Sequence, residues 1–131
     1  MNSPDENRLR QKVEEYCSKY AIEPPFEISD VVNIQNVYKG GSWPFGDAPG
    51  CYIFYCEAVG LLYIGKASNS SAMAHRLGTY FRTRGLPVVE PRHKWTRPPV
   101  HVQTVKVHEA YQAPSLEEFL IRELKPVDNV I

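Results

Sequence analysis

The stretch GCYIFYCEAVGLLYIG, residues 50–65, decides the fold of this chain. Two runs rich in Tyr, Ile, Phe and Leu, 51–57 and 61–65, flank the connection Glu57-Ala58-Val59-Gly60. Aromatic and β-branched residues on both sides of a glycine-containing connection predict a β-hairpin, and Gly60 can supply a left-handed residue at its end. A loop of two or four residues centred on Ala58-Val59 sets Tyr52 opposite Gly65 and Phe54 opposite Tyr63. Residues two apart share a face of a strand, so Tyr52 and Tyr63 lie diagonally on one face, within reach of each other. Gly65 has no side chain, which leaves space opposite Tyr52. A one-residue slip would separate the tyrosines. A pair of core tyrosines satisfies the same pattern, so other residues must say whether the two point at a substrate.

Outward from the hairpin, Ser3-Pro4-Asp5-Glu6 carries a capping-box pattern. Leu9, Val13, Tyr16, Cys17 and Tyr20 then recur at helical spacing, which predicts a helix over 3–20 ended by Pro24-Pro25. VVNIQNVY, 31–38, fits a short strand or a helical turn, and KGGSWPFGDAP, 39–49, a loop. Residues 70–81 read as a helix with Asn69, Ser70 or Ser71 as cap and Met73, Leu77, Tyr80 and Phe81 as its apolar stripe. Residues 82–99 hold four prolines and read as a loop. VHVQTVKV, 100–107, reads as a strand whose alternation slips at Gln103-Thr104, where a bulge would fit. Residues 115–124 read as a last helix, capped by Ser115 with Glu118 completing the box. The order predicts an α+β fold, a small three-stranded antiparallel sheet flanked by helices. Residues 1–48 would form an N-terminal helix and loop extension packed on a domain spanning 49–131.

The 131 residues fit one compact domain, and the 43% apolar content suffices for a core. Formal net charge is zero, so overall charge points to no polyanion. Its distribution is uneven. Residues 1–30 carry seven acids and four bases, whereas 76–97 carry Arg76, Arg82, Arg84, Arg92, Lys94 and Arg97 against Glu90 alone. A local basic stretch binds phosphates even on a neutral protein, although a solvated loop has the same composition. Cys17, Cys51 and Cys56 form no CxxC pair, and His75, His93, His101 and His108 show no metal-ligand spacing. The cysteines read as small buried hydrophobes in a reducing compartment. The polar start MNSPDENRLR is no signal peptide, and no apolar run reaches membrane-spanning length. The expected location is the cytoplasm.

Helical geometry singles out one acid. With Leu116, Leu120, Ile121 and Leu124 on the apolar face, Glu117 falls between the directions of Leu120 and Ile121, while Glu118 points elsewhere. A carboxylate facing a core needs a cation or a metal. Arg76 and Tyr80, four apart, share one edge of the middle helix. Arg76 and Lys66, which directly follows the second strand, can each reach a phosphate.

Taken together, these residues resemble the GIY-YIG nuclease family. Gly50-Cys51-Tyr52 stands for its first element, with Cys51 where Ile or Val is usual, and Tyr63-Ile64-Gly65 matches the second unchanged. YIGKA, 63–67, and HRLGTYF, 75–81, resemble the nuclease domain of bacterial excision-repair incision proteins, with a slightly longer stretch between Lys66 and Arg76. EEFLIRELKPVDN, 117–129, resembles that domain's glutamate-to-asparagine segment. The likeness covers roughly 49–131 and agrees with the layout already described.

The resemblance implies an endonuclease that hydrolyses DNA phosphodiester bonds with a divalent cation, Mg²⁺ or Mn²⁺, held by Glu117. It implies that Tyr52 or Tyr63 orients or deprotonates the attacking water with Tyr80 assisting. Arg76 and Lys66 would stabilise phosphate charge, and Asn129 would support the site. Nothing in the chain reads a 2′-hydroxyl, so RNA stands beside DNA as a possible polyanion. Arg82, Arg84, Arg92, Lys94, Trp95 and Arg97 combine cations with a base-stacking aromatic and are the candidate nucleic-acid contacts. Specificity would come from this segment, from a homo-oligomer or from a protein partner. A binding module, or a subunit active only with a partner, is the competing class.

Overall fold

The computed structural model describes residues 4–57, 59–68, 72–83, 89–91 and 95–129. The elements run α1 (Pro4–Lys19), β1 (Glu27–Ile28), β2 (Val32–Asn33), α2 (Ile34–Tyr38), β3 (Gly50–Cys56), β4 (Gly60–Ala67), α3 (Met73–Gly78), β5 (Phe81–Thr83), β6 (Val89–Pro91), β7 (His101–Lys106) and α4 (Gln112–Leu124). The fold is α+β with an antiparallel sheet. Its core is the expected three strands in the order β7-β3-β4, and the two-residue strands β1 and β2 extend it by pairing with β7. The segment 31–38, open between strand and helix, is both.

The hairpin register at the tyrosines is the expected one: Tyr52 pairs with Gly65 and Phe54 with Tyr63. The loop is not the expected even-numbered one. Cys56 pairs with Gly60 and Tyr55 with Leu61, and the register shifts between Phe54 and Tyr55. Gly60 adopts φ +70°, a left-handed conformation that closes an odd loop. Leu62 is the extra residue on β4. The bulge offsets the odd loop, and the register beyond it is the same as an even loop would give.

The bulge expected in the last strand is absent, because β3 and β7 pair without a break from Gly50↔Lys106 to Tyr55↔His101. The alternation slips there because β7 is buried on both faces. Gln103 accepts from the Tyr55 hydroxyl at 2.7 Å and donates to Ser29 O at 3.0 Å on one side, while Thr104 donates to Pro44 O at 2.7 Å on the other. Two buried polar residues with partners on opposite faces imitate a break in periodicity.

Two apolar clusters sandwich the sheet. One contains Cys51, Ile53, Tyr55 and Ile64 with Leu9, Val13, Tyr16 and Cys17 of α1 and Leu116, Leu120 and Leu124 of α4. The other contains Tyr52, Phe54, Leu62, Met73, Leu77, Tyr80 and Phe81. Burying ten or so such side chains per face is worth about 1.5–3 kcal/mol each before entropy is subtracted, which makes the faces the main source of stability. The N-terminal segment is tied to the sheet by Asp5, which accepts from Leu61 N at 3.0 Å, and to α4 by Tyr16, which donates to Ser115 Oγ at 2.7 Å. All three cysteines are buried and unpaired.

Three helix boundaries differ from expectation, apart from the Ser3 cap, which lies outside the described residues. α3 is shorter than 70–81, and its first amides donate to Ala48 O and Gly46 O at 2.9 and 2.8 Å. The proposed caps Asn69, Ser70 and Ser71 lie outside the described residues. Phe81 leaves the helix and opens β5, which pairs with β6 inside the segment expected to be a loop. α4 begins at Gln112, because Pro114 sits in its first turn, where an amide has no helical partner to lose. Ser115 is therefore not its cap, nor Glu118 part of a capping box.

Candidate active site

The hairpin sets the centre of the site. Tyr52 is fully buried, and its ring lies across Gly65: a Cβ there would fall 2.4 Å from Tyr52 Cε1. The space opposite Tyr52 is filled by its own ring. Beyond it the Tyr52 and Tyr80 hydroxyls are 2.8 Å apart, and the Tyr80 hydroxyl reaches that of Tyr63 at 3.5 Å. Tyr63 is half-buried, so this row of three phenols runs from the interior to the surface.

Arg76 is exposed at the end of α3, its guanidinium 6.0 Å from the Tyr80 ring centroid. Tyr80 lies past the helix, yet its amide bonds Leu77 O at 3.1 Å, a tight turn that keeps it beside Arg76. Burial pushes all three phenols up, Tyr80 to about 12, and the Arg76 charge opposes this in each.

Lys66 pairs with Cys51 and so projects on the α4 side of the sheet, opposite to Tyr63. Its ammonium donates to Ser68 Oγ at 3.1 Å. Glu117 approaches from α4, half-buried where Glu118 is exposed. Burial raises its carboxyl above the usual range, with Lys66 and then Arg76 pulling it back. It forms no hydrogen bond or ion pair among the described residues. The site therefore spans the Gly65–Lys66 end of β4, with phenols and Arg76 on one side and Lys66 and Glu117 on the other.

Asn129 braces this end. Its Oδ1 accepts from Ile64 N and its Nδ2 donates to Ile64 O, both at 2.9 Å. The side-chain amide thus acts as a strand partner for the open edge of β4, between Tyr63 and Gly65. Trp95 is half-buried and packs against Phe54, Tyr63 and Tyr80, at 5.6, 5.5 and 5.9 Å between centroids. Arg97 is exposed, Arg82 lies in β5, and Arg84, Arg92 and Lys94 lie outside the described residues.

Two residues bearing on this geometry were not read from the sequence. Ser68 anchors Lys66, and the shared face of positions two apart signals it. Asp128 accepts from Thr96 N at 3.1 Å and from the Thr96 hydroxyl at 2.5 Å, a contact that no local pattern signals.

Among the described residues no three His, Cys, Asp or Glu side chains come together. The donors present fit one hard cation that keeps most of its water, with Glu117 as its carboxylate, and do not fit a four-ligand soft-metal site. Among the described residues no helix is long and apolar enough to cross a membrane.

A family model described as the UvrC-like GIY-YIG domain matches residues 48–130. UvrABC system protein C of Cytophaga hutchinsonii is 33% identical over 84 residues, 64% of this chain and 13% of that protein. The chain thus corresponds to a small part of this curated relative. No solved structure matches it.

Proposed function

The chain belongs to the UvrC-like GIY-YIG domain family of nucleases, and from that premise we propose that it is a divalent-cation-dependent endonuclease hydrolysing DNA phosphodiester bonds. The observation that carries this reading is Glu117, a half-buried carboxylate with no ion pair among the described residues, on the opposite side of the sheet from the tyrosine row and within electrostatic reach of Lys66 and Arg76. Such a group is costly to keep in a fold unless a ligand uses it.

In this reading Tyr63 meets the attacking water, because it is half-exposed whereas Tyr52 is fully buried. Its phenol stays protonated at neutral pH, held there by burial. It therefore orients the water by hydrogen bonding, and Tyr80 and Tyr52 fix its hydroxyl from behind. Arg76 holds the negative charge that grows on the phosphate in the transition state, with Lys66 nearby. A divalent cation of the magnesium type supplies Lewis-acid polarisation of the phosphate when bound, and Glu117 is the residue that would hold it. Targeting falls to the basic segment 82–97, to oligomerisation or to a partner, and the expected setting is the cytoplasm.

The test is a comparison of steady-state kinetics. Arg76→Ala should lower kcat by about a hundredfold, the scale for losing one transition-state contact, with little change in KM. Glu117→Ala should remove both cleavage and its cation dependence while circular dichroism stays native. A rise in KM alone for Arg76→Ala, or cation-dependent cleavage by Glu117→Ala, would contradict the assignment.

A further inference from the structure

We propose that Asp128 is a positioning residue for the nuclease site: its carboxylate clasps Thr96 and thereby holds Trp95 as a wall against Tyr63 and Tyr80. The inference rests on the function proposed above for its consequence, and on geometry alone for the clasp.

Each link is short. Asp128 N donates to Leu62 O at 2.8 Å, next to Tyr63 on the open edge of β4. The neighbouring Asn129 clamps Ile64 from the same stretch. The Asp128 carboxylate takes both the amide and the hydroxyl of Thr96. Hydrogen bonds to an ionised acceptor are shorter and stronger than neutral ones, and two on one residue fix its orientation as well as its place. Thr96 is continuous with Trp95, whose ring touches two members of the tyrosine row and Phe54 beneath them.

Tyr63 is the member of that row with a solvent-facing side. Its ring has Phe54 stacked on it at 6.1 Å and Trp95 edge-on at 5.5 Å. The clasp adds a polar anchor next to the ring contacts of Trp95, in a segment of Thr, Arg and Pro. A hydroxyl that aims a water tolerates little misplacement, since small displacements of reacting groups cost large factors in rate. Asp128 thus acts on Tyr63 through Trp95. The proline-rich stretch that carries Arg97 is anchored at the same point.

The test uses Trp43→Phe as background, so that Trp95 is the sole tryptophan. Asp128→Ala should shift its emission to the red and about double acrylamide quenching. On cleaved DNA, kcat should fall about tenfold while KM moves less than twofold. Asp128→Asn keeps one acceptor and should restore most of both signals. Thr96→Val, which removes only the hydroxyl, should lie between, and it serves if Asp128→Ala fails to fold. Unmoved Trp95 emission overturns the clasp, whatever the activity. A red shift with unchanged kcat overturns the positioning role. If the parent protein cleaves no DNA, the nuclease reading and the positioning role fail together, and the emission still decides the clasp.

Discussion

Gly65→Ala should break both fold and site, and the structure gives the size of the effect. The new Cβ would stand 2.4, 2.5 and 2.6 Å from Tyr52 Cε1, Cζ and Oη. Ordinary carbon contacts begin near 3.5 Å, so ring or strand must give by about 1.1 Å. The ring is fully buried and packed against Phe54 and Tyr80, with centroids at 5.7 and 5.6 Å, so it has nowhere free to go. One added methyl group in such packing costs about 1–3 kcal/mol. A shift of that size also stretches the 2.8 Å Tyr52–Tyr80 contact beyond hydrogen-bonding range. Losing a buried hydrogen bond adds about 1 kcal/mol. The expected loss is therefore about 2–4 kcal/mol, or roughly 1–2 M in urea midpoint at an m-value of about 2 kcal/mol/M. Urea unfolding followed by circular dichroism measures it. Gly78→Ala is the control, since a Cβ there meets nothing within 4 Å, and it should be neutral or stabilising by up to about 1 kcal/mol. Equal midpoints for Gly65→Ala and wild type would refute the close packing of Tyr52 on Gly65.

Other substitutions test other links. Tyr80→Phe strips the fully buried Tyr52 hydroxyl of its 2.8 Å partner and should cost about 1–3 kcal/mol, read by the same urea method. Asn129→Ala removes both bonds to the Ile64 backbone, and exchange of the Ile64 amide should quicken at least about tenfold, the factor for some 1.4 kcal/mol. Glu117 has a folded-state pKa raised by burial, so the folded state holds its proton longer than the unfolded chain. Its contribution to stability is full below the ordinary carboxylate pKa and is lost as pH rises through the raised one. Glu117→Gln should therefore gain stability over wild type as pH climbs past that window, measured by urea midpoints from pH 4 to 8, and Mg²⁺ should narrow the gap. A gap that shrinks with rising pH would mean that Glu117 is stabilised by an ion pair.

The hairpin was legible because its aromatic pattern admits one register that puts Tyr52 over Gly65. The register survived a wrong loop length because Leu62 bulges out by the same single residue. Glu117 was legible from helical angles alone, since α4 is regular around it. Other features were not. β7 is buried on both faces, so Gln103 and Thr104 look like a slip when they are buried polar residues with partners. The prolines of 82–99 hid β5 and β6, because a two-stranded ribbon outside the main sheet tolerates Pro91 at its end. The contacts of Trp95 and Asp128 join residues distant in sequence, which no local periodicity encodes.

The central claim is that Glu117, Arg76 and the tyrosine row form a working phosphodiesterase centre. The most direct test incubates the purified chain with supercoiled plasmid and with branched and single-stranded DNA. Each is run with Mg²⁺, with Mn²⁺ and with EDTA, beside Glu117→Ala. The account predicts cation-dependent cleavage of at least one substrate, absent with EDTA and absent in the folded variant. No cleavage of any substrate by folded wild-type protein, or equal cleavage by Glu117→Ala, would contradict it.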